Sequence, residues 1–262
     1  MSTGLSFDAE MSKQLESTYT RPAMVLRRAH ALALAGPKPG EDVLDIGCGP
    51  GFLTADLAAG VGESGSTLGI DQSDAMIALA TGRCEGMPWA RIESGDAAAL
   101  GGEDARFDLV VSTQVLEYVA EVDRALAEVT RVLRPGGGRA VLLATDWRSL
   151  AWHSNDEIRM NQVLSAWEEH LAHPSLPRTL GRSLEDAGLR ITGIERHSII
   201  ERAKDTRGYS AMLVGAISGF APGHRGVAEE TARAWAEEQE ALRNDGSFHF
   251  SLGQYFFCAE RH

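Results

Sequence analysis

Val43–Leu53, VLDIGCGPGFL, is the stretch on which the reading of the fold turns. An apolar run with strand character, Val43 to Ile46, meets glycines at 47, 49 and 51, and a segment of helical pattern follows at once. Glycine has no Cβ, so such a bend reaches left-handed dihedral angles and lets backbone amides approach a ligand at the helix N-terminus, where the dipole favours negative charge. A nucleotide-like ligand is implied. A dinucleotide fingerprint, Gly-x-Gly-x-x-Gly, would need its third glycine at position 52, where the chain has Phe52. The order found is Asp45-x-Gly47-x-Gly49-x-Gly51. Taken alone, the glycines are also compatible with a tight turn that holds no ligand.

Outward from this bend, β-like runs alternate with helical patterns from residue 41 to about 145. Strands are predicted at DVLDIG, STLGID, ARIESGD, FDLVVST and GRAVLLATD, with helices at about 52–59, 73–82 and 121–133, the last stopped by RPGGG. The alternation predicts a doubly wound α/β sheet covered on both faces. One or two amphipathic helices are predicted over residues 9–35, and further helices at 155–172, over LPRTLGRSLEDAG, and over 208–245 with a break at APGHRG. LRITGIERHSII and FHFSLGQYFFCAER read as two late strands, with Gly253 as a bulge. The chain divides into an N-terminal helical lid (1–40), a binding core (41–145), and cap helices with the last two strands of the same sheet (146–262).

Composition narrows the function. The 262 residues carry a formal net charge of −12, which opposes the backbone of nucleic acid and the anionic face of a membrane. Hydrophobic content of 44% supports a packed core, and no apolar run is long enough to span a bilayer. The N-terminus is too polar for a secretory signal, so a cytoplasmic protein is expected. Cys48, Cys84 and Cys258 are widely spaced and odd in number, which suggests reduced thiols and neither a disulfide framework nor a cysteine-rich zinc site.

Acids stand at the strand ends where a ligand over the glycine bend would meet them. Asp71 closes the second strand, 20 residues after Gly51, in position to accept both hydroxyls of a ribose; Asp96 ends the third, with a helix cap as its other reading. Together with STQVLEYV and RVLRPGGG, the acid-and-glycine motif resembles the class I S-adenosylmethionine-dependent methyltransferases, specifically over residues 41–145 and more loosely to the C-terminus. That resemblance implies a Rossmann-like seven-stranded sheet, mostly parallel with the last strand antiparallel, carrying helical cap insertions. It implies S-adenosylmethionine as cofactor, contacted at Asp45, Gly47, Cys48, Gly49, Asp71, Gln72, Met76, Asp96, Ala97, Thr113 and Gln114. Within these, Asp96 would take the adenine amino group, Met76 would pack on the adenine, and Asp45, Thr113 and Gln114 would lie along the methionine part.

The same string is similar to small-molecule methyltransferases of ubiquinone and menaquinone biosynthesis. One departure is Leu116-Glu117-Tyr118-Val119, where the O-methylating quinone enzymes carry Leu-Glu-His-Val, so a histidine base at that place is missing. Methyl transfer from a sulfonium needs chiefly alignment in a dry pocket, and a general base where the acceptor keeps a proton. His153, in TDWRSLAWHS, is the first candidate for that base; Glu117, at the mouth after strand four, and Tyr19 are the other catalytic candidates. Arg21 is placed to pair the methionine carboxylate. His170 and His173 read as solvated helix-end residues, and no metal site is expected. Trp147, Trp152, Tyr209, Phe250 and Tyr255 form either an aromatic box for the acceptor or ordinary core. The reading is a methyltransferase acting on a small, aromatic or nitrogenous metabolite, as a monomer or homodimer without nucleic-acid or membrane partners. A cofactor-binding scaffold or cyclase, and a nucleic-acid or protein methyltransferase, stand as alternatives.

Overall fold

Successive residues of a strand face opposite sides of its sheet, and the first strand is apolar on both sides. In β1 (Asp42–Ile46), Val43 points to one layer of helices and Leu44 and Ile46 to the other, all buried. A strand of this kind is stable only between two helical layers, and the computed structural model, which describes residues 18–203, 205 and 208–262, has that arrangement.

The chain runs α1 (Pro22–Ala35), β1, α2 (Phe52–Val61), β2 (Ser66–Asp71), α3 (Asp74–Arg83), β3 (Ala90–Ser94) and β4 (Leu109–Thr113). It continues through α4 (Val122–Val132), β5 (Arg139–Trp152), α5 (Glu157–Trp167), α6 (Pro177–Asp186), β6 (Leu189–Arg202), α7 (Tyr209–Phe220), α8 (Glu229–Asp245) and β7 (His249–Arg261). The seven strands lie in the order β3-β2-β1-β4-β5-β7-β6; the first five are parallel, and β7 runs antiparallel between β5 and β6. This is the Rossmann-like sheet expected from the motifs. The part of the predicted 9–35 helix that precedes residue 18 lies outside the described residues.

Ala31 and Ala35 of α1 and Leu53, Leu57 and Val61 of α2 cover one face, against Val43, Val111, Val141 and Phe256. Leu126 and Val129 of α4 and Leu180 and Leu184 of α6 cover the other, against Leu44, Val110, Leu142 and Phe257. In α4 the buried residues Val122, Ala125, Leu126, Val129 and Val132 follow the helical repeat, each large one contributing about 1.5–3 kcal/mol by leaving water. A third cluster joins α5, α7 and α8 with Met24 of α1 over the carboxyl end of the sheet. Among the described residues no helix is long and apolar enough to cross a membrane.

Two late features differ from expectation. The strand predicted to end at Asp146 continues to Trp152, because beyond an irregularity between Asp146 and Ala151 it pairs again with β7 at Ala151–Ser251 and Trp152–Phe250. The extra residues lie in β5, not at Gly253, whose amide donates to Ser149 Oγ at 2.9 Å and whose lack of a side chain makes room for it. The helix predicted over 155–172 is α5 followed by a 3-10 turn at Glu168–His170.

Candidate functional site

The carboxyl ends of β1, β2 and β4 meet at the glycine bend, and α1 lies across them. The cleft between is lined by Tyr19, Met24, Arg27, Asp45, Gly47, Cys48, Phe52 and Thr113, among others, and is narrow and partly open to solvent.

Gly47, Gly49 and Gly51 all hold positive φ, at 68°, 53° and 79°. Two of them are required by the protein itself: a Cβ on Gly47 would overlap the Val115 side chain, and one on Gly51 would come within 2.7 Å of Ala80 Cα where α2 and α3 cross. Gly49 is different. A Cβ there would stand 3.3 Å from the Tyr19 hydroxyl, a close contact with the tip of a side chain, so Tyr19 covers the backbone at this position. The Gly49 amide donates to Asp71 Oδ2 at 2.9 Å, and the Ser73 amide to Oδ1 at the same distance, which fixes the Asp71 carboxylate at the edge of the bend with lone pairs left for hydroxyl groups. Asp96 accepts from the Ala98 amide through Oδ1 and is exposed, while Ala97 and Met76 are buried and Gln72 is exposed beside Asp71. Cys48 is a buried filler whose thiol is held neutral by burial, and burial also raises the thiols of Cys84 and Cys258.

Asp45 is buried beneath the cleft, takes a 2.6 Å hydrogen bond from Thr54 Oγ1, and has its pKa pushed up by burial to about 7. Above it the chain is drawn together by Gln114. Its Oε1 accepts from Arg27 of α1, and its Nε2 donates to the Tyr209 hydroxyl at the start of α7 at 3.2 Å. Gln114 itself sits at φ 62°, a costly conformation for a residue with a Cβ, held by its amide bond to the Leu143 carbonyl. Arg27 is 6% exposed and makes no ion pair among the described residues. A buried guanidinium in that state presents donors to a ligand carboxylate.

Glu117 lies in the 3-10 turn after β4, fully buried. Its Oε1 accepts from the Thr145 amide at 3.3 Å, its Oε2 has no partner among the described residues, and burial raises its pKa to about 7. Burial likewise raises the phenols of Tyr19, Tyr118 and Tyr209.

Asp45, Gly47, Gly49, Asp71, Thr113, Gln114, Glu117 and Tyr19 are thus brought to one end of the sheet. Arg21 and His153 are not. Arg21 Nη1 donates to the Gly208 carbonyl at 2.6 Å, tying the N-terminal segment to α7, and Arg27 occupies the cleft where Arg21 was expected. His153 is exposed at the far end of the β5 extension, its amide bonded to the His249 carbonyl, because β5 continues as a strand and carries it past the cleft. His170 is buried rather than solvated: Nδ1 bonds the Trp167 carbonyl, Nε2 has no partner among the described residues, and burial lowers its pKa to about 4. The aromatic box divides, Trp147 packing with Trp167 and His170, Trp152 with Trp235 and Phe250. Arg27 left a signal in the sequence: with Met24, Ala31 and Ala35 it forms the buried stripe of α1, and a charge on that stripe is out of place unless it faces a site. Thr145 and Gln254 left none.

Residues 43–137 match a methyltransferase domain family. The chain is 36% identical over 112 residues to the demethylmenaquinone methyltransferase of Bacillus mycoides, a match covering 42% of this chain and 47% of that protein. It spans about half the length of the curated relatives it matches. Among solved structures, the phosphoethanolamine N-methyltransferase 2 of Haemonchus contortus in complex with S-adenosylmethionine superposes with a TM-score of 0.62 at 17% identity, covering 97% of this chain and 57% of that one. The [4+2]-cyclase SpnF superposes with a TM-score of 0.58 at 21% identity, covering 90% and 80%. Motif order, strand order and the matched family agree on a methyltransferase domain over residues 43–137, with demethylmenaquinone methyltransferases among the proteins the chain is similar to.

Proposed function

We propose that the protein transfers a methyl group to a small-molecule acceptor bound between the glycine bend, α1 and α7. The observation that carries this is Arg27, a buried guanidinium without an ion pair among the described residues, in the same cleft as Gly47, Asp45 and Thr113. The residues suit the cofactor of the family. Asp71 is held with both oxygens at the rim for ribose hydroxyls, and Arg27 lines the cleft where it can meet the methionine carboxylate.

When bound, S-adenosylmethionine supplies an electrophilic methyl on a positively charged sulfur. Asp45 and Asp71 set a negative field that suits that charge, and α1 with Tyr19 and Arg27 keeps water from the reacting line. Tyr19 stacks on Phe52 with ring centroids 6.0 Å apart, and Arg21 anchors the same segment to Gly208, so residues 19–35 act as a lid on the core. Glu117 receives or orients the acceptor's proton. His153 has no part in it. The likeness to the cyclase is one of fold, and it makes binding without transfer the second reading.

The test is calorimetric titration with S-adenosylhomocysteine, then incubation with methyl-labelled S-adenosylmethionine and a panel of small acceptors. Micromolar binding and label in a small product are expected. Binding with no labelled product from any acceptor would favour the second reading, and absence of binding would remove both.

A further inference from the structure

Beyond the cofactor residues, the carboxyl end of β5 holds a buried polar network that methyl transfer as such does not need. Gln254 of β7 is fully buried and pairs with Thr145 across the sheet; its Nε2 donates to Thr145 Oγ1 at 2.9 Å. Thr145 in turn serves Glu117, its amide donating to Oε1 and its hydroxyl lying within hydrogen-bonding reach of the carboxylate. Two acceptors on this chain of three residues are left over: Glu117 Oε2 and Gln254 Oε1 are both buried and both without a partner among the described residues. Arg27, a cation of the cleft whose charge acts on Glu117, donates to Gln114 instead.

A buried acceptor without a donor is costly, and two on one network ask for a group that brings two hydrogens. An alcohol or phenol brings one. A primary amine brings two and keeps a lone pair, so a nitrogen held by both oxygens would turn that pair toward the methyl. The rings of Tyr118 and Tyr209, which flank Gln114 and Glu117, suit an amine borne on an apolar or aromatic skeleton.

We infer that Glu117 and Gln254 form the acceptor's nitrogen site and that the protein is an N-methyltransferase of primary amines; this rests on the methyl-transfer reading above. The amine enters neutral, with its two N–H groups on Glu117 Oε2 and Gln254 Oε1. Its lone pair forms the N–C bond as the S–CH3 bond breaks and that electron pair passes to sulfur. The positive charge moves to nitrogen, and one N–H proton then passes to the Glu117 carboxylate, giving the neutral secondary amine and the protonated acid.

The experiment uses the full chain saturated with S-adenosylhomocysteine and two probes of equal skeleton, 2-phenylethylamine and 2-phenylethanol, extended to further amine–alcohol pairs, with binding read by calorimetry. The amines are expected to bind at least about tenfold tighter than their alcohols, with Glu117→Gln and Gln254→Met each erasing about tenfold of that preference. Both variants are expected to keep S-adenosylhomocysteine affinity within about threefold, which also certifies that they fold. Equal uptake of amines and alcohols, or uptake of no amine, overturns the inference while leaving cofactor binding intact. A loss of S-adenosylhomocysteine affinity in Glu117→Gln that matches the loss of amine would assign the two oxygens to the cofactor's own ammonium and overturn it as well. Failure of the unsubstituted protein to bind S-adenosylhomocysteine strikes the underlying reading instead.

Discussion

Arg27 of α1 donates to Oε1 of Gln114 at the end of β4, although 87 positions separate them in the chain. The bond fastens the N-terminal helix to the carboxyl end of the sheet, and Arg27 lines the cleft together with Gly47 and Cys48 of the bend.

If that guanidinium meets the methionine carboxylate, Arg27→Met weakens S-adenosylhomocysteine binding about 10- to 100-fold, the equivalent of one charge-assisted bond of about 1.5–3 kcal/mol. Arg27→Lys falls between, since it keeps the charge without the planar fork. Calorimetry reads both, and a dissociation constant unchanged within about threefold in Arg27→Met removes the assignment.

Gly47→Ala is expected to destabilise the fold by about 2–5 kcal/mol, combining a left-handed alanine with overlap on Val115. Adding Val115→Ala recovers the overlap but not the dihedral cost. Urea unfolding of the two variants separates the contributions; equal stability of both would show that the overlap is not felt.

Glu117 is pushed up to about 7 from an ordinary value near 4.5, so between those two pH values the native state holds a proton that the unfolded chain has released, and above about pH 7 the native group is the carboxylate. Its contribution is therefore fully present below about pH 4.5 and fades as pH rises through 7, to the extent of about 2–3 kcal/mol. Glu117→Gln cannot release that proton. The difference in unfolding free energy between Glu117→Gln and the unsubstituted protein should grow in favour of the glutamine from pH 5 to pH 8. A difference independent of pH would mean that Glu117 titrates as in water.

Glu201, buried near the end of β6, accepts from the amides of Tyr209 and Ser210 and from the Ser210 hydroxyl, closing the N-terminus of α7. Glu201→Ala leaves these donors unsatisfied and should cost about 3 kcal/mol. Hydrogen exchange at the Tyr209 and Ser210 amides is the local readout, and it should accelerate more than exchange in β1. Because Tyr209 holds Gln114, cofactor affinity should fall with it.

Much of the core was legible because its signals are local. The bend at Gly47–Gly51 and the acids Asp71 and Asp96 at strand ends each depend on a few neighbouring residues. His153 misled because Trp147 and Trp152 beside it suggested a pocket wall, whereas their partners Trp167 and Trp235 come from α5 and α8. His170 looked solvated because nothing in its own helix announces that Trp147, Trp167 and Phe220 close around it.

The amino-acid sequence by itself determined the alternating strands and helices, their order, and the end of the sheet at which a ligand sits, since glycine dihedrals, helix caps and apolar periodicity act over a turn or two of chain. Tertiary structure alone decided that Arg27 and not Arg21 enters the cleft, that β5 carries His153 away from it, and that Gln254 joins Glu117 through Thr145. Those outcomes depend on which face of α1 meets the sheet and on pairing between β5 and β7 more than a hundred residues apart. Contacts of that range are set by what the assembled layers leave buried, which no short window of residues encodes.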